Sequence, residues 1–351
     1  MTVINLGTPR FTVRSTYNRP QSPYLIDRFG RRSVDLRVSL TDRCNLRCSY
    51  CMPADGLDWM ADSIRLTDDE VVRLVAIAVA QLGIREVRFT GGEPLLRRGL
   101  ESIVAQVAQL RPRPRISLTT NGIGLARRAA PLAAAGVVRV NVSLDTLRPD
   151  RYRRITRRDR LHDVLAGLAA AKAAGLRPVK INSVLLRGVN DDEATSLLNF
   201  ALTHDYELRF IEQMPLDAQH DWNRGKMVAA EEILRSLRTN FDLTADREER
   251  GPAPAELWLV NGGPGKVGVI ASVTRPFCGG CDRARLTADG QLRSCLFSSE
   301  ETDLRSMLRT GTPDDEIARR WRNAMWAKAP GHAINTRGFL QPARTMSAIG
   351  G

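Results

Sequence analysis

The chain has 351 residues, of which 43% are hydrophobic, and carries a formal net charge of +13 at pH 7. This length can bury a large core, in one barrel-sized domain or two smaller ones. The longest apolar stretch, Val71 to Ala80, is interrupted by Arg73 and is too short to span a membrane, and residues 1–33 contain no continuous apolar segment typical of a secretory signal. We therefore expect a cytoplasmic protein with no membrane partner.

The excess of basic residues is carried mostly by arginine. Such a balance can mark nucleic-acid binding, but the sequence shows no basic run interleaved with aromatic residues and no added RNA-binding module. We expect instead that a few arginines converge on an anionic small molecule while the others form a solvated surface. Nucleic acid is therefore not an expected partner.

Residues 1–33 mix Pro, Arg and Tyr without clear periodicity and predict an N-terminal arm. From Val34 onward, strand-like runs alternate with helix-like runs, which predicts an α/β fold whose parallel sheet curls into an open barrel. A doubly wound sheet is the alternative. The predicted strands are Val34–Leu40, Glu86–Thr90, Ile116–Thr120, Val138–Leu144, Pro178–Leu185 and Glu207–Glu212. The predicted helices lie near 67–82, 98–110, 124–135, 161–174 and 191–203, with caps at Thr67 and Asn190.

Three cysteines follow the first predicted strand, within the stretch RVSLTDRCNLRCSYCMP. They are Cys44, Cys48 and Cys51, at the spacing C-x3-C-x2-C. Three thiolates this close can hold one metal centre, and a [4Fe–4S] cluster with three cysteine ligands keeps one iron open for an outside ligand. The alternatives are a disulfide with a spare thiol and a structural zinc site with its fourth ligand elsewhere.

The segment CNLRCSYC, followed by Met52 and Pro53, resembles the signature of the radical S-adenosylmethionine (SAM) enzymes. The resemblance implies that SAM chelates the open iron and that one electron from the cluster splits it to a 5′-deoxyadenosyl radical, while the protein positions the substrate and excludes water. It also implies the partial (β/α)6 barrel of TIM type found in this family, over residues 34–215, with the site at the C-terminal strand ends.

Several residues at the predicted strand ends bear on this site. The second strand leads into GGEP, starting at Gly91, where adjacent glycines bring backbone close to a ligand, although GGEP alone could be a turn. Thr119 ends the third strand, and Ser143 lies on a polar face of the fourth. Lys180 lies on the fifth, where a buried lysine is costly unless it meets an anion. Met214 follows the sixth strand and could be simple packing.

A second cysteine set lies in the C-terminal region, residues 216–351. Cys278 and Cys281 form a C-x2-C pair, and Asp289-Gly290 predicts a hairpin that folds Cys295 back beside them. Zinc and an iron–sulfur cluster both suit this trio. All six cysteines fall into the two triads, which leaves none for disulfides and fits a reducing compartment.

Arg283 and Arg285 follow this pair on a predicted strand. Because they alternate, both should project from one face near the metal, where their planar guanidinium groups suit phosphate oxygens. The chain ends in Gly350-Gly351, a sequence that is normally fraying chain.

The two triads, GGEP, CDRARLTADG and the Gly-Gly end together resemble the GTP 3′,8-cyclase family of molybdenum cofactor biosynthesis, from about Arg37 to the last residue. The resemblance implies two [4Fe–4S] clusters and SAM as cofactors. It implies that the adenosyl radical takes hydrogen from C3′ of GTP, which cyclises to (8S)-3′,8-cyclo-7,8-dihydro-GTP. The partners it implies are an electron donor such as flavodoxin or ferredoxin and a cyclic pyranopterin monophosphate synthase acting downstream, and it allows a homodimer.

The resemblance also implies roles for individual residues. The clusters would be held by Cys44, Cys48 and Cys51 and, for an auxiliary cluster, by Cys278, Cys281 and Cys295. SAM would contact Tyr50, Gly92, Ser143 and Met214. GTP would contact Arg37, Arg88, Thr119, Lys180, Arg283, Ala284 and Arg285. Catalytic roles would fall to Arg283, Arg285, Gly350 and Gly351.

Two other functions need weighing. A radical SAM enzyme acting on a peptide would show a longer C-terminal cysteine set, and one acting on RNA would show an added binding module; the sequence has neither. An iron–sulfur electron carrier without a substrate has no need of an open iron beside GGEP.

Overall fold

Strands and helices alternate along most of the chain in the computed structural model, which describes residues 19–248 and 250–350. The strands are β1 (Leu25–Ile26), β2 (Arg32–Ser33), β3 (Asp35–Ser39), β4 (Glu86–Thr90), β5 (Arg115–Thr120), β6 (Val137–Ser143), β7 (Val179–Val184), β8 (Glu207–Ile211), β9 (Leu243–Ala245), β10 (Glu256–Val260), β11 (Lys266–Ile270), β12 (Arg283–Leu286), β13 (Gln291–Arg293) and β14 (Thr302–Asp303). The helices are α1 (Asp68–Gln81), α2 (Leu100–Ala108), α3 (Leu125–Ala135), α4 (Pro149–Thr156), α5 (Leu161–Ala173), α6 (Ala194–Thr203), α7 (Ala230–Arg238), α8 (Arg305–Arg309), α9 (Asp314–Trp326) and α10 (Met346–Ile349).

The central sheet contains the six predicted strands, β3 to β8, side by side in chain order and all parallel. Two further strands extend it in parallel, β12 beside β3 and β11 beside β8. Side chains from all eight of these strands border one cavity, so the sheet curves around it. The predicted division of the chain into residues 1–33, 34–215 and 216–351 stays a prediction. The C-terminal region contributes strands to both edges of the same sheet.

Apolar and polar side chains alternate along the parallel strands, as their sequences predict. In β4, Val87 and Phe89 are fully buried on the outer face, which the helices cover, whereas Arg88 borders the cavity. A period of two sends successive side chains to opposite faces, so an apolar outer layer makes the core and a polar inner layer remains for the site. The same outer layer includes Leu36, Val38, Ile116, Leu118, Val140, Val142, Ile181, Leu208 and Phe210.

The helix starts show where local sequence signals hold and where they fail. The predicted cap of α1 is confirmed, because Thr67 Oγ1 accepts from the Glu70 amide at 3.1 Å and the Glu70 carboxylate accepts from the Thr67 amide at 2.8 Å. The predicted cap at Asn190 is wrong. Helix α6 starts four residues later, and the Asn190 side chain instead accepts from the Leu186 amide and donates to the Asp145 carbonyl, each at 2.7 Å.

The predicted N-terminal arm is partly described. Residues 1–18 lie outside the described residues, while β1 and β2 form a short antiparallel hairpin. Leu25 in β1 is fully buried, and β1 packs against α9. This hairpin is therefore part of the folded core. Within residues 19–248 and 250–350, no helix combines the length and apolar character needed to cross a membrane.

Candidate active site

One cavity of about 350 Å³ lies within the curved sheet, at the C-terminal ends of its parallel strands. Parallel α/β folds place their chemistry at this edge because the connecting loops converge there. The cavity brings together most of the predicted site residues. They are Arg37, Cys44, Cys48, Tyr50, Cys51, Arg88, Gly92, Thr119, Ser143, Met214, Cys278, Cys281, Arg283, Arg285 and Cys295.

The first triad lies in the loop after β3. The amides of Cys51 and Met52 both donate to the carbonyl of Cys48, at 2.9 and 3.0 Å, which closes a tight turn between the last two thiols. Burial raises the pKa of Cys44 to about 11 and the pKa of Cys51 to about 12. These thiols therefore keep their protons in the ligand-free protein, and binding to iron must displace them.

Tyr50 is fixed by a carboxylate from the end of β6. Its hydroxyl donates to Asp145 Oδ2 at 2.8 Å, and Asp145 Oδ1 accepts from the Val184 amide at 2.9 Å. Burial raises the pKa of Asp145 to about 6. The prediction did not include Asp145 among the site residues, although it shares the polar face of Asn141 and Ser143.

The GGEP segment joins the loops that follow β3, β4 and β5. A Cβ at Gly92 would lie 2.3 Å from the carbonyl oxygen of Asp42, so glycine alone lets this backbone approach the loop of the first triad. The Glu93 carboxylate is fully buried and accepts from Thr120 Oγ1 at 2.6 Å and from the Asn121 amide at 2.7 Å. Burial raises the pKa of Glu93 to about 7.

The second triad is assembled by the predicted hairpin, which is confirmed as β12 pairing antiparallel with β13. Cys278 and Cys281 share one turn before β12, and Cys295 returns beyond β13 to the same cavity. Burial acts to raise the pKa of Cys281, but the positive charges of Arg283 and Lys328 outweigh it and lower that pKa to about 6. Cys281 is thus a thiolate at neutral pH.

The donor sets of both triads suit iron–sulfur clusters. All six cysteines are free. Cysteine thiolates are the ligands of [4Fe–4S] clusters, in which each thiolate binds a different iron. Each triad places its three thiols at the border of the cavity.

The inner face of the sheet is strongly cationic. Burial, with the neighbouring guanidinium groups of Arg88 and Arg285, holds the pKa of Arg37 well below its usual range, and burial lowers the pKa of Arg285 to about 10. In the described part of the chain, the Nε atoms of Arg37, Arg139 and Arg209 have no hydrogen-bond partner. Buried cations with unused donors favour an anionic ligand.

Arg209 and Arg139 were missed by the prediction. Each alternates with polar neighbours on the inner face, Arg139 two residues before Asn141 on β6 and Arg209 two residues after Glu207 on β8. This alternation along each strand could have identified both arginines from the sequence. Arg209 borders the cavity itself, and Arg139 lies beside it, paired with Glu86 at 3.2 Å.

Two predicted GTP ligands differ from the others. The Lys180 ammonium lies 2.7 Å from the Glu207 carboxylate and does not border the cavity, and burial lowers the pKa of Lys180 to about 8. Ala284 is fully buried on the outer face of β12. Any contact it makes with a ligand must therefore use its backbone.

Met214 borders the cavity and packs against a small apolar cluster of Met227, Val273 and Ile334. It follows Glu212, whose buried carboxylate accepts from the amides of Ala230 and Val273, both at 2.8 Å. These bonds tie the end of β8 to α7 and to the residues after β11. They fix the backbone from which Met214 projects.

The C-terminal tail reaches the arginines. Met346 and Ser347 border the cavity, and the carbonyl of Gly350 accepts from Arg285 Nη1 at 2.6 Å. Gly350 has φ +91°, and a Cβ there would lie 2.9 Å from the Cβ of Ser39. Glycine is therefore required by both backbone and space. Gly351 lies outside the described residues.

Comparisons with known proteins show the family of this chain. Residues 38–201 match the family model of the radical SAM superfamily, and residues 206–334 match that of Molybdenum Cofactor Synthesis C. The chain is 67% identical to the GTP 3′,8-cyclase of Streptomyces coelicolor over 340 residues, which cover 97% of this chain and 100% of that relative. It is 60% identical, over the full length of both chains, to the GTP 3′,8-cyclase of Mycobacterium sp. (strain KMS).

The chain belongs to the GTP 3′,8-cyclase family of radical SAM enzymes. The resemblance noted in the sequence is thus confirmed. Among solved structures, Streptococcus suis SuiB bound to S-adenosylmethionine matches with a TM-score of 0.60 over 90% of this chain and 77% of that one. At 14% identity this match shows a common fold, and it confirms the α/β radical SAM barrel.

Proposed function

We propose that this member of the GTP 3′,8-cyclase family cyclises GTP to (8S)-3′,8-cyclo-7,8-dihydroguanosine 5′-triphosphate, the first step of molybdenum cofactor biosynthesis. The observation that carries the proposal is one cavity bordered by two cysteine triads and by buried arginines with unused donors. The relatives at 67% and 60% identity are named for this activity.

The first triad and its surroundings bind SAM in this proposal. Cys44, Cys48 and Cys51 would hold a [4Fe–4S] cluster, which would supply the electron that splits bound SAM to methionine and a 5′-deoxyadenosyl radical. Gly92 borders the cavity and, having no side chain, lets the GGEP backbone pack against the triad loop, beside which the amino acid part of SAM would bind. Tyr50, Ser143 and Met214 complete the contacts with SAM, since all three border the same cavity.

The arginines bind the triphosphate. Arg37, Arg88 and Arg209 border the cavity from β3, β4 and β8, and unused Nε donors on Arg37 and Arg209 suit phosphate oxygens. Thr119 adds a hydroxyl on β5. Lys180 supports this wall through Glu207, whose Oε2 atom lies 2.7 Å from the Lys180 ammonium and 3.2 Å from Arg209 Nη2.

The second triad faces the base. Cys278, Cys281 and Cys295 would hold an auxiliary [4Fe–4S] cluster, whose iron without a cysteine ligand would be available to the guanine base. Arg283 and Arg285 emerge between this triad and the arginine wall. Because Arg285 also holds Gly350, the Gly350-Gly351 tail contributes to closing the site around the radical.

The product is an isomer of GTP, and each turnover also consumes one SAM, two electrons and one proton. The hydrogen atom leaves C3′ and ends on 5′-deoxyadenosine, a bond forms between C3′ and C8, and guanine then receives one electron and one proton. A flavodoxin or ferredoxin supplies electrons in this proposal, and a cyclic pyranopterin monophosphate synthase consumes the product. The enclosing cavity walls protect the radical from water.

The test is anaerobic incubation of iron-reconstituted protein with SAM, dithionite and one nucleoside triphosphate at a time. With GTP we expect equal amounts of 5′-deoxyadenosine and a GTP isomer, separated by chromatography and identified by mass spectrometry. ATP, CTP and UTP serve as controls and should give no cyclised isomer. Formation of 5′-deoxyadenosine with no isomer of GTP would contradict the proposal.

A further inference from the structure

A buried lysine beside the second triad has no part in the proposed GTP contacts. Lys328 lies two residues beyond α9 and is only 3% exposed. Its Nζ donates to the carbonyls of Cys281 and Arg283 at 3.1 and 2.9 Å, and to Cys281 Sγ at 3.4 Å. Among the residues that the structure describes, no carboxylate forms an ion pair with Lys328.

Burying an ammonium group is costly unless a negative charge lies close to it. Backbone carbonyls supply hydrogen bonds but no net charge. The anion that compensates Lys328 is therefore the sulfur of Cys281, and through it any cluster that Cys281 holds. Arg283 lies on the same side, so Cys281 has two cationic neighbours.

The position of Lys328 is set by rigid elements. Helix α9 is anchored by the fully buried side chains of Trp321 and Ile317. The next residues are held by Arg31, which donates to the carbonyls of Ala329 at 2.6 Å and Pro330 at 2.9 Å. The chain is therefore fixed both before and after Lys328, which holds its ammonium group next to Cys281 Sγ.

We propose that Lys328 is a positioning residue that holds Cys281 and raises the reduction potential of the cluster at the second triad. This inference rests on the proposed function, which supplies that cluster. Reduction adds one electron, delivered by an external reductant, and leaves the three thiolate ligands in place. A fixed cation and N–H donor at one ligand sulfur stabilise the more negative, reduced form.

The test is a redox titration of the holoenzyme followed by electron paramagnetic resonance. The auxiliary signal is the one absent when Cys278, Cys281 and Cys295 are all replaced by Ala. In Lys328→Met, we expect the ratio of reduced to oxidised auxiliary cluster at a fixed potential to fall about tenfold, equivalent to a shift of about 59 mV for one electron. Lys328→Arg keeps the charge and the donor and should stay near the wild type.

The SAM cluster in the same molecule is the internal control, and its potential should not change. An unchanged auxiliary potential in Lys328→Met, or an equal shift of both clusters, would overturn the inference. If Lys328→Met loses the auxiliary cluster, Lys328→Gln is compared with it. Loss in both neutral variants with retention in Lys328→Arg supports the role of the cation, whereas loss in all three variants overturns it.

The proposed function fails in a different way. Wild-type protein with about four irons instead of about eight, and with no signal lost on replacing the second triad, would show that no auxiliary cluster exists. Eight irons with an insensitive potential would reject the role of Lys328 alone.

Discussion

The two cysteine triads border one cavity but differ in their electrostatic surroundings at Cys281 of the second triad, whereas burial raises the pKa of Cys278 in the same triad. At the first, burial raises the pKa of Cys48 far above its usual range, and the neighbouring acidic groups of Cys51 and Asp145 raise it further. At the second, the cations of Arg283 and Lys328 overcome burial and lower the pKa of Cys281 to about 6. The two triads thus offer the same set of three thiols in different electrostatic environments.

The difference indicates a division of labour. Surroundings that disfavour negative charge make a reduced cluster a stronger electron donor, which is what cleavage of SAM demands. The cations beside Cys281 suit the auxiliary cluster proposed at the second triad, because they stabilise the negative charge on its ligand sulfur.

The largest effect should come from removing one triad at a time. Replacing Cys278, Cys281 and Cys295 by Ala should lower iron from about eight to about four per chain and abolish the cyclised isomer, while 5′-deoxyadenosine still forms. Replacing the first triad should abolish 5′-deoxyadenosine itself. Stoichiometric zinc at the second triad, in protein made anaerobically with ample iron, would contradict the comparison.

The tail should matter next, because Gly350 contacts Arg285 and fits where a side chain would clash. Deleting Gly350 and Gly351 should leave iron content and SAM binding near normal, since those contacts lie in the barrel. Cyclised product should fall by orders of magnitude. A peptide copying the tail, added in trans, should restore part of it, limited by the effective concentration lost with the tether.

Leu340→Ala is the control for the tail, because its side chain is 85% exposed. It should leave the rate unchanged. A truncated enzyme that makes product at the full-length rate would mean that the tail takes no part in the reaction.

Replacing Arg283 and Arg285 by Ala should weaken GTP binding while SAM binding persists. Losing a buried charged hydrogen bond costs about 1.5–3 kcal/mol, which corresponds to roughly ten- to hundred-fold weaker affinity. Equilibrium binding of GTP in the presence of a non-reacting SAM analogue measures this. The control is Arg153→Ala with Arg319→Ala, which removes two side chains that are 65% and 60% exposed. Equal GTP affinity in the two double variants would refute the assignment.

The smallest effect concerns the N-terminal hairpin. Arg31 donates to the carbonyl of Cys278 at 2.7 Å and pairs with Asp27 at 2.6 Å, so it braces the second triad and not the first. Arg31→Leu should make auxiliary iron a few times more easily lost to a chelator, with the SAM cluster unaffected. Arg28→Leu, which changes an exposed residue of the same hairpin, is the control. Equal rates of iron loss from both variants would remove this role.

Sequence predicted the six barrel strands because each alternates apolar and polar residues between recognisable helices. Helix α4 was missed because PDRYRRIT has few apolar residues and buries only Tyr152, Ile155 and Thr156. The parallel pairing of β12 with β3 was also missed, since it joins segments about 250 residues apart in sequence and no local pattern records it.

The residues of the candidate site also divide into those that the sequence predicts and those that it does not. The cysteines, GGEP and the alternating arginines carry local spacing that a reader can interpret. Lys328 follows the charged helix α9 and looks like solvated surface, and Arg31 lies in a segment without periodicity. Both acquire their positions only when α9 and the hairpin pack beside the second triad, so tertiary contacts and not sequence patterns reveal them.

The most direct test of the central claim is the fate of the hydrogen at C3′. GTP deuterated at C3′ would be incubated anaerobically with SAM, dithionite and the reconstituted protein. The deuterium content of the 5′-deoxyadenosine would then be measured by mass spectrometry. We predict one deuterium in the 5′-deoxyadenosine formed with each molecule of cyclised product. Undeuterated 5′-deoxyadenosine accompanying cyclised product that retains the label would contradict the account.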